Sequence, residues 1–166
     1  MRILRHAIAI LVAPVTVTVL VPILLSVTTG LGAPDSGAAV TAVLGTLGAV
    51  FMAIGLTLVV WTIALFDRVG DGTLAPWDAP RKLVVRGPYL HVRNPMISGV
   101  LFILLGEALL FRSPVLLGWF VAFFAVNQTY IPLWEERGLE RRFGQDYVTY
   151  KHHVRRWLPR FHPWHA

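Results

Sequence analysis

Four long apolar runs, at about 7–28, 38–66, 96–111 and 115–134, hold a single charged side chain between them, Glu107. Few folds are open to a chain divided in this way. Lipid offers no hydrogen bonds, so a segment inside it must pair its own backbone groups, as a helix does, or close into a barrel. About 20 apolar residues make a spanning helix, and three of the runs reach that length. The run at 96–111 extends only ~24 Å at 1.5 Å per residue, short of a ~30 Å hydrocarbon core. The expected fold class is all-α: an integral membrane bundle of four transmembrane helices, followed by a cytoplasmic C-terminal interfacial helix.

Composition agrees. The 166 residues are 55% hydrophobic and 14% charged, with a mean hydropathy of +0.63, whereas soluble domains carry about a quarter charged residues. The length suits one domain, 1–166, with a long polar loop at 67–95 and a tail at 135–166. The absence of cysteine excludes disulfides and thiolate metal sites. There is no Walker loop, internal repeat or nucleic-acid motif, so the net charge of +6 points to a membrane surface and not to nucleic acid.

Charge placement gives an orientation. Lys and Arg number two before the first run, none in the loop at 30–37, five in 67–95, one in the turn at 112–114 and seven between Arg137 and Arg160. The positive-inside rule puts both termini and the long loop in the cytoplasm, with a bacterial or archaeal plasma membrane as the expected location. The first run exceeds the 7–15 apolar residues of a signal peptide and reads as a retained helix kinked by Pro14 and Pro22. Gly45, Ala49 and Ala53 recur at four-residue spacing, a small-residue face for helix packing. Asp67, Asp71 and Asp78 lack calcium-loop spacing and read as solvated turn residues.

One polar stretch interrupts the apolar pattern with unusual density: Arg86-Gly87-Pro88-Tyr89-Leu90-His91-Val92-Arg93-Asn94-Pro95-Met96-Ile97-Ser98-Gly99. Gly87-Pro88 is turn chemistry, and Pro95 suits the first turn of a helix. The tight turn at Arg112-Ser113-Pro114 makes the last two runs an antiparallel hairpin. That hairpin returns the chain to Glu135-Glu136 beside the polar stretch. Beyond it, Leu139, Phe143, Tyr147, Tyr150 and Val154 form an amphipathic helical stripe, broken near Gly144. With Trp157, Trp164 and seven basic residues, it reads as an interfacial segment on anionic lipid.

Gly-Pro-Tyr, Arg-Asn-Pro four residues later, and then Gly99 resemble a signature of the isoprenylcysteine carboxyl methyltransferases and related phospholipid methyltransferases. The block Glu135-Glu136, Leu139, Phe143-Gly144, Tyr147, Tyr150, Val154 and Pro159 resembles that family's tail. Together the two blocks cover about half the chain. The resemblance implies a membrane methyltransferase with S-adenosylmethionine as cofactor and a lipophilic acceptor: an isoprenoid, lipid or small hydrophobic carboxylate, amine or thiol. By the same resemblance, Arg81, Lys82, Leu83, Val84, Gly87, Tyr89, Arg93, Asn94, Pro95, Met96, Ile97 and Glu135 take cofactor positions, and Arg93, Asn94 and Glu136 serve catalysis.

Residue chemistry is compatible with those roles. A guanidinium such as Arg93 binds a carboxylate bidentately, Glu135 and Glu136 accept from hydroxyl or amino groups, and Tyr89 packs on a planar or cationic group. Three positions depart from the family pattern. Asn94 replaces a histidine and does not titrate near neutrality, Ile97 replaces a tyrosine, and Ile131 replaces an arginine that helps to bind substrate. These changes argue against a prenylcysteine acceptor. Two other readings stand beside this one: a non-catalytic membrane protein binding lipid or partners through its basic face, and a proton-coupled carrier using Glu107. The bland reading of Glu107 pairs it with Arg112, Asn127 or Gln128.

Overall fold

Proline decides the shape of the first helix. The computed structural model describes residues 11–30, 37–69 and 82–164. Helix α1 runs in a π register over Leu11–Leu20 and continues as an α-helix over Val21–Thr29. In a π register the carbonyl of residue i accepts from the N–H of residue i+5. The donor for Val17 would be residue 22, a proline without an N–H. The indole Nε1 of Trp119 donates to the Val17 carbonyl instead, at 3.1 Å.

Helix α2 spans Gly37–Val69 and α3 spans Pro95–Leu110. They pack antiparallel through two glycine crossings, Gly48 on Gly106 and Gly55 on Gly99. A Cβ added at Gly55 would lie 2.5 Å from the Gly99 carbonyl oxygen, and one at Gly48 would lie 2.7 Å from that of Gly106. This corrects the expected packing face: Gly45 has open space around it, and Ala49 and Ala53 are exposed. The true seam repeats every seven residues, the spacing that keeps one stripe facing a neighbouring helix over several turns.

Helix α4 spans Pro114–Tyr130, capped by Ser113, and widens to a π turn over Ile131–Glu135, where Pro132 withholds its N–H. Arg112, at φ 50°, makes the tight reversal before it and bonds Thr41 Oγ1 at 2.7 Å near the start of α2. All four helices meet in one core, where Val59, Val100, Ile103 and Leu104 pack with Val17, Trp119, Phe120 and Phe123. Helix α5 (Glu136–Phe143) and helix α6 (Gln145–His153) follow, separated by Gly144 at φ 58°. The described residues contain helices and no strand.

The runs Gly37–Phe66 and Pro114–Phe143 are long and apolar enough to cross a membrane. Charge begins at Glu135, so the apolar part of the second ends before it. Val27, Val60, Val121 and Val126 stand exposed on the outer surfaces of α1, α2 and α4 among many other large apolar side chains, an exterior suited to lipid. Helix α3 has 16 residues and is the most enclosed, with Leu101, Leu104, Gly106 and Ala108 buried.

Candidate functional site

The polar stretch folds as a pinned turn at one end of the bundle. Gly87, at φ 56°, opens a single 3₁₀ turn, Gly87–Leu90, against the end of α2, where a Cβ would meet Leu65 at 3.0 Å and Trp61 at 3.2 Å. Only glycine adopts that backbone so close to a neighbour without strain. The Tyr89 ring stands edge-on to Phe66, with centroids 5.7 Å apart. Its carbonyl accepts from the Tyr150 hydroxyl at 2.7 Å.

The segment after α6 returns to hold this turn from the other side. Arg93 N–H donates to the Arg155 carbonyl at 2.9 Å, Arg160 N–H to the His91 carbonyl at 2.9 Å, and Trp164 N–H to the Leu90 carbonyl at 3.0 Å. His91 Nδ1 lies 2.8 Å from the Arg160 carbonyl. A carbonyl only accepts, so Nδ1 carries the proton.

Glu136 is the electrostatic centre. It is 2% exposed, and its Oε1 lies 3.0 Å from Arg93 Nη1 and 2.8 Å from Arg156 Nε, with Oε2 3.3 Å from Lys151 Nζ. Burial alone would raise its carboxyl, but the Arg156 hydrogen bond and the charges of Arg93 and Arg156, with Lys151, hold it below the ordinary carboxylate range. Glu136 is therefore a poor proton acceptor, and its geometry suits it to orienting Arg93. Lys151 also reaches Glu140 at 2.7 Å.

Around this cluster stand phenols. Burial, and then the Glu136 charge, push the Tyr147 hydroxyl up to about 12. Burial, with neighbouring Tyr147, likewise raises Tyr150. Burial raises Tyr89 too, with Tyr150 and the charge of Glu135 adding to it. All three hydroxyls are protonated donors near neutral pH. Tyr147, Tyr150 and Val154 form a small second core against Leu83, Val85, Leu139, Phe143 and Trp164. Trp164, half-buried, stacks on the exposed His153 and leans on Tyr150.

Asn94 precedes α3, and its carbonyl accepts from both the N–H and the hydroxyl of Ser98, each at 2.9 Å. Its side chain makes no cap. Among the described residues, Asn94 Nδ2, Arg93 Nε and Arg93 Nη1 are buried and make no well-aligned hydrogen bond, although the Arg93 guanidinium stands beside the Tyr147 hydroxyl and the Glu136 carboxylate. Nη1 lies 3.0 Å from Glu136 Oε1 and pairs with it by charge. Buried donors of this kind are costly when unmet, so they suit an acceptor-rich ligand.

The expected site residues divide accordingly. Gly87, Tyr89, Arg93, Asn94, Pro95, Met96 and Ile97 follow one another through the pinned turn into the first turn of α3. Glu135 closes the π turn, exposed, with its charge reaching Tyr89. Val84 is buried, Leu83 packs on the tyrosine cluster and Lys82 is exposed. Arg81 lies outside the described residues, as do Asp71 and Asp78. Arg156 and Lys151 were not anticipated in the cluster. Their only signal was a basic tail, which reads equally as a lipid anchor.

The expected pairing of Glu107 is not made among the described residues. Arg112 bonds Thr41, Asn127 Nδ2 donates to the Phe123 carbonyl, and Gln128 accepts from Trp157. No cluster of His, Cys, Asp or Glu among the described residues is arranged to hold a metal.

Apolar helices with exposed apolar surfaces, and a polar, part-buried cluster gathered at one end of them, are the pattern of a membrane-associated protein. The sequence profile of the phospholipid methyltransferase family matches residues 43–146, well over half the chain. The chain belongs to that family, whose members are methyltransferases. No curated protein and no solved structure shows significant similarity to it.

Proposed function

We propose that this protein transfers a methyl group from S-adenosylmethionine to a lipophilic acceptor at the cytoplasmic face of a membrane. In this reading α1 to α4 cross or enter the bilayer, both termini are cytoplasmic, and α5 and α6 cap the site. The observation that carries it is the set of buried donors without acceptors on Arg93 and Asn94. Arg93 offers the methionyl carboxylate a guanidinium edge, and Asn94 Nδ2 adds a neutral donor. Tyr89 supplies an aromatic wall, and Glu135 an acceptor for ribose or amino groups. Glu136 acts as a positioning residue, orienting Arg93 through its ion pair.

The cofactor would supply an already activated methyl group. The chain's own task is to hold the acceptor in line and exclude bulk water. Glu136, charge-neutralised by three cations, is not the base for an amine acceptor. His91 donates its Nδ1 proton to the Arg160 carbonyl, which leaves Nε2 with a free lone pair to accept one.

The acceptor follows from Ile131, 1% exposed at the end of α4. An apolar side chain there offers no charge to a substrate carboxylate, and Arg86 and Arg137 are exposed. A neutral or amine-bearing lipid is therefore the better acceptor, and a prenylcysteine acid the poorer.

Calorimetry of purified protein with S-adenosylmethionine tests the cofactor, and transfer of a labelled methyl group to total membrane lipids tests the activity. Absence of binding by folded protein overturns the reading. Preference for the prenylcysteine acid over amine-headgroup lipids overturns the acceptor assignment.

A further inference from the structure

The segment after α6 does more than hold the turn; it also runs back along the outside of α4. Trp157 Nε1 donates to Gln128 Oε1 at 2.6 Å, and its ring lies 5.6 Å from that of Phe124. Gln128 and Phe124 precede Glu135, where charge begins, by about two and three helical turns, roughly 10 and 16 Å along the axis. Trp157 therefore sits beside the apolar part of α4 and not beyond its end.

The residues that follow it are apolar and uncovered. Leu158 is 64% exposed and Phe161 fully exposed, so the Phe161 ring is free of protein contact. Pro159 lies between them, and Arg155 is an exposed cation just upstream. Leaving both side chains in water is unfavourable, whereas the neighbouring face of α4, where Val121 and Phe124 stand exposed a turn apart, is itself lipid-suited.

The same short segment carries the bonds that fix the candidate site. Arg155 holds Arg93 through its carbonyl, Arg156 pairs with Glu136, and Arg160 and Trp164 hold His91 and Leu90. Leu158 and Phe161 thus lie within the strap itself, Leu158 between the anchors at Arg156 and Arg160 and Phe161 between those at Arg160 and Trp164.

We propose that residues 157–161 are seated in the bilayer leaflet, with Leu158 and Phe161 among the acyl chains and Arg155 toward anionic headgroups. This lipid contact holds the strap against the turn from His91 to Asn94. The partner is a lipid surface, and the contact does not depend on which reaction the site performs.

The chain has no cysteine, so single cysteines can carry an environment-sensitive fluorophore at 158, 161 and, as a water-exposed control, 152. The protein is reconstituted in phosphatidylcholine vesicles with and without phosphatidylglycerol. Labels at 158 and 161 are expected to emit at shorter wavelength than the label at 152, and to be quenched by lipid-borne nitroxides but not by iodide. Iodide quenching at 161 equal to that at 152 overturns the seat. Phe161→Asp removes the insertion without disturbing any protein contact. In vesicles it is expected to speed hydrogen exchange of the Arg93, Arg160 and Trp164 amides by about ten-fold or more, with the α2–α3 amides unchanged. Unchanged exchange at those three amides overturns the strap.

Discussion

Arg93 Nη1 stands 3.0 Å from Glu136 Oε1, joining the turn before α3 to the first turn of α5 through a buried ion pair. Each residue depends on the other. Glu136 lies among three cations, and the buried Arg93 Nε makes no hydrogen bond among the described residues. The pair fixes the guanidinium and leaves part of its bonding capacity for a ligand.

Arg93→Ala and Glu135→Ala are each expected to weaken S-adenosylmethionine binding about ten-fold or more, since losing a charge-assisted hydrogen bond costs roughly 1.5–3 kcal/mol. Calorimetry on folded protein reads this directly. Unaltered affinity in both variants removes the site assignment.

Glu136→Gln leaves Arg93 and Arg156 facing a neutral amide. Breaking a buried pair from one side costs about 3–5 kcal/mol, and thermal unfolding in detergent is expected to fall accordingly. The wild-type contribution has a pH sign. The folded carboxyl lies below its usual value near 4.5. Its stabilisation is therefore present above that value and is lost as pH falls through the lower, folded one. The variant should lack that acid-side loss, and an identical acid profile in both proteins would count against the ion-pair cluster.

Gly55→Ala and Gly48→Ala push a methyl into opposing backbone, and about 1–3 kcal/mol of destabilisation is expected from such overpacking. Gly45→Ala, with nothing within 4 Å, serves as the control and should be neutral or slightly stabilising. Equal behaviour of all three in an unfolding assay would contradict the α2–α3 register.

Trp119→Phe removes the donor that meets the part-buried Val17 carbonyl, and losing such a hydrogen bond costs about 0.5–1.5 kcal/mol. Pro22→Ala supplies a backbone N–H where the π register lacks one. In a double-mutant cycle, Trp119→Phe should therefore cost less in the Pro22→Ala background. Simple additivity would mean that the indole does not replace the missing donor.

Much of this molecule was legible in the sequence because lipid imposes few choices. Apolar run length predicts helices, and the Arg112-Ser113-Pro114 turn predicts the hairpin that returns Glu136 to Arg93. Gly144 marks the break between α5 and α6 because a positive φ suits glycine. Periodicity misled at Gly45, Ala49 and Ala53, since small residues recur on more than one face of α2. Only the three-dimensional contact with Gly99 and Gly106 selects the face of Gly48 and Gly55.

Tertiary structure alone decided the rest. Nothing in a basic tail distinguishes Arg156 and Lys151, which pair with Glu136, from exposed cations such as Arg155. Nothing in an aromatic tail separates Trp164, turned inward onto His153, from Phe161, turned outward. Those choices follow from the path of an irregular segment, which is set by backbone hydrogen bonds to Leu90, His91 and Arg93 and not by any helical period. The sequence by itself determined which segments are helices and which polar blocks must share one end of the bundle. The fold decided which charges meet there, because long-range pairing depends on distances in space that residue spacing along an unpatterned segment does not encode.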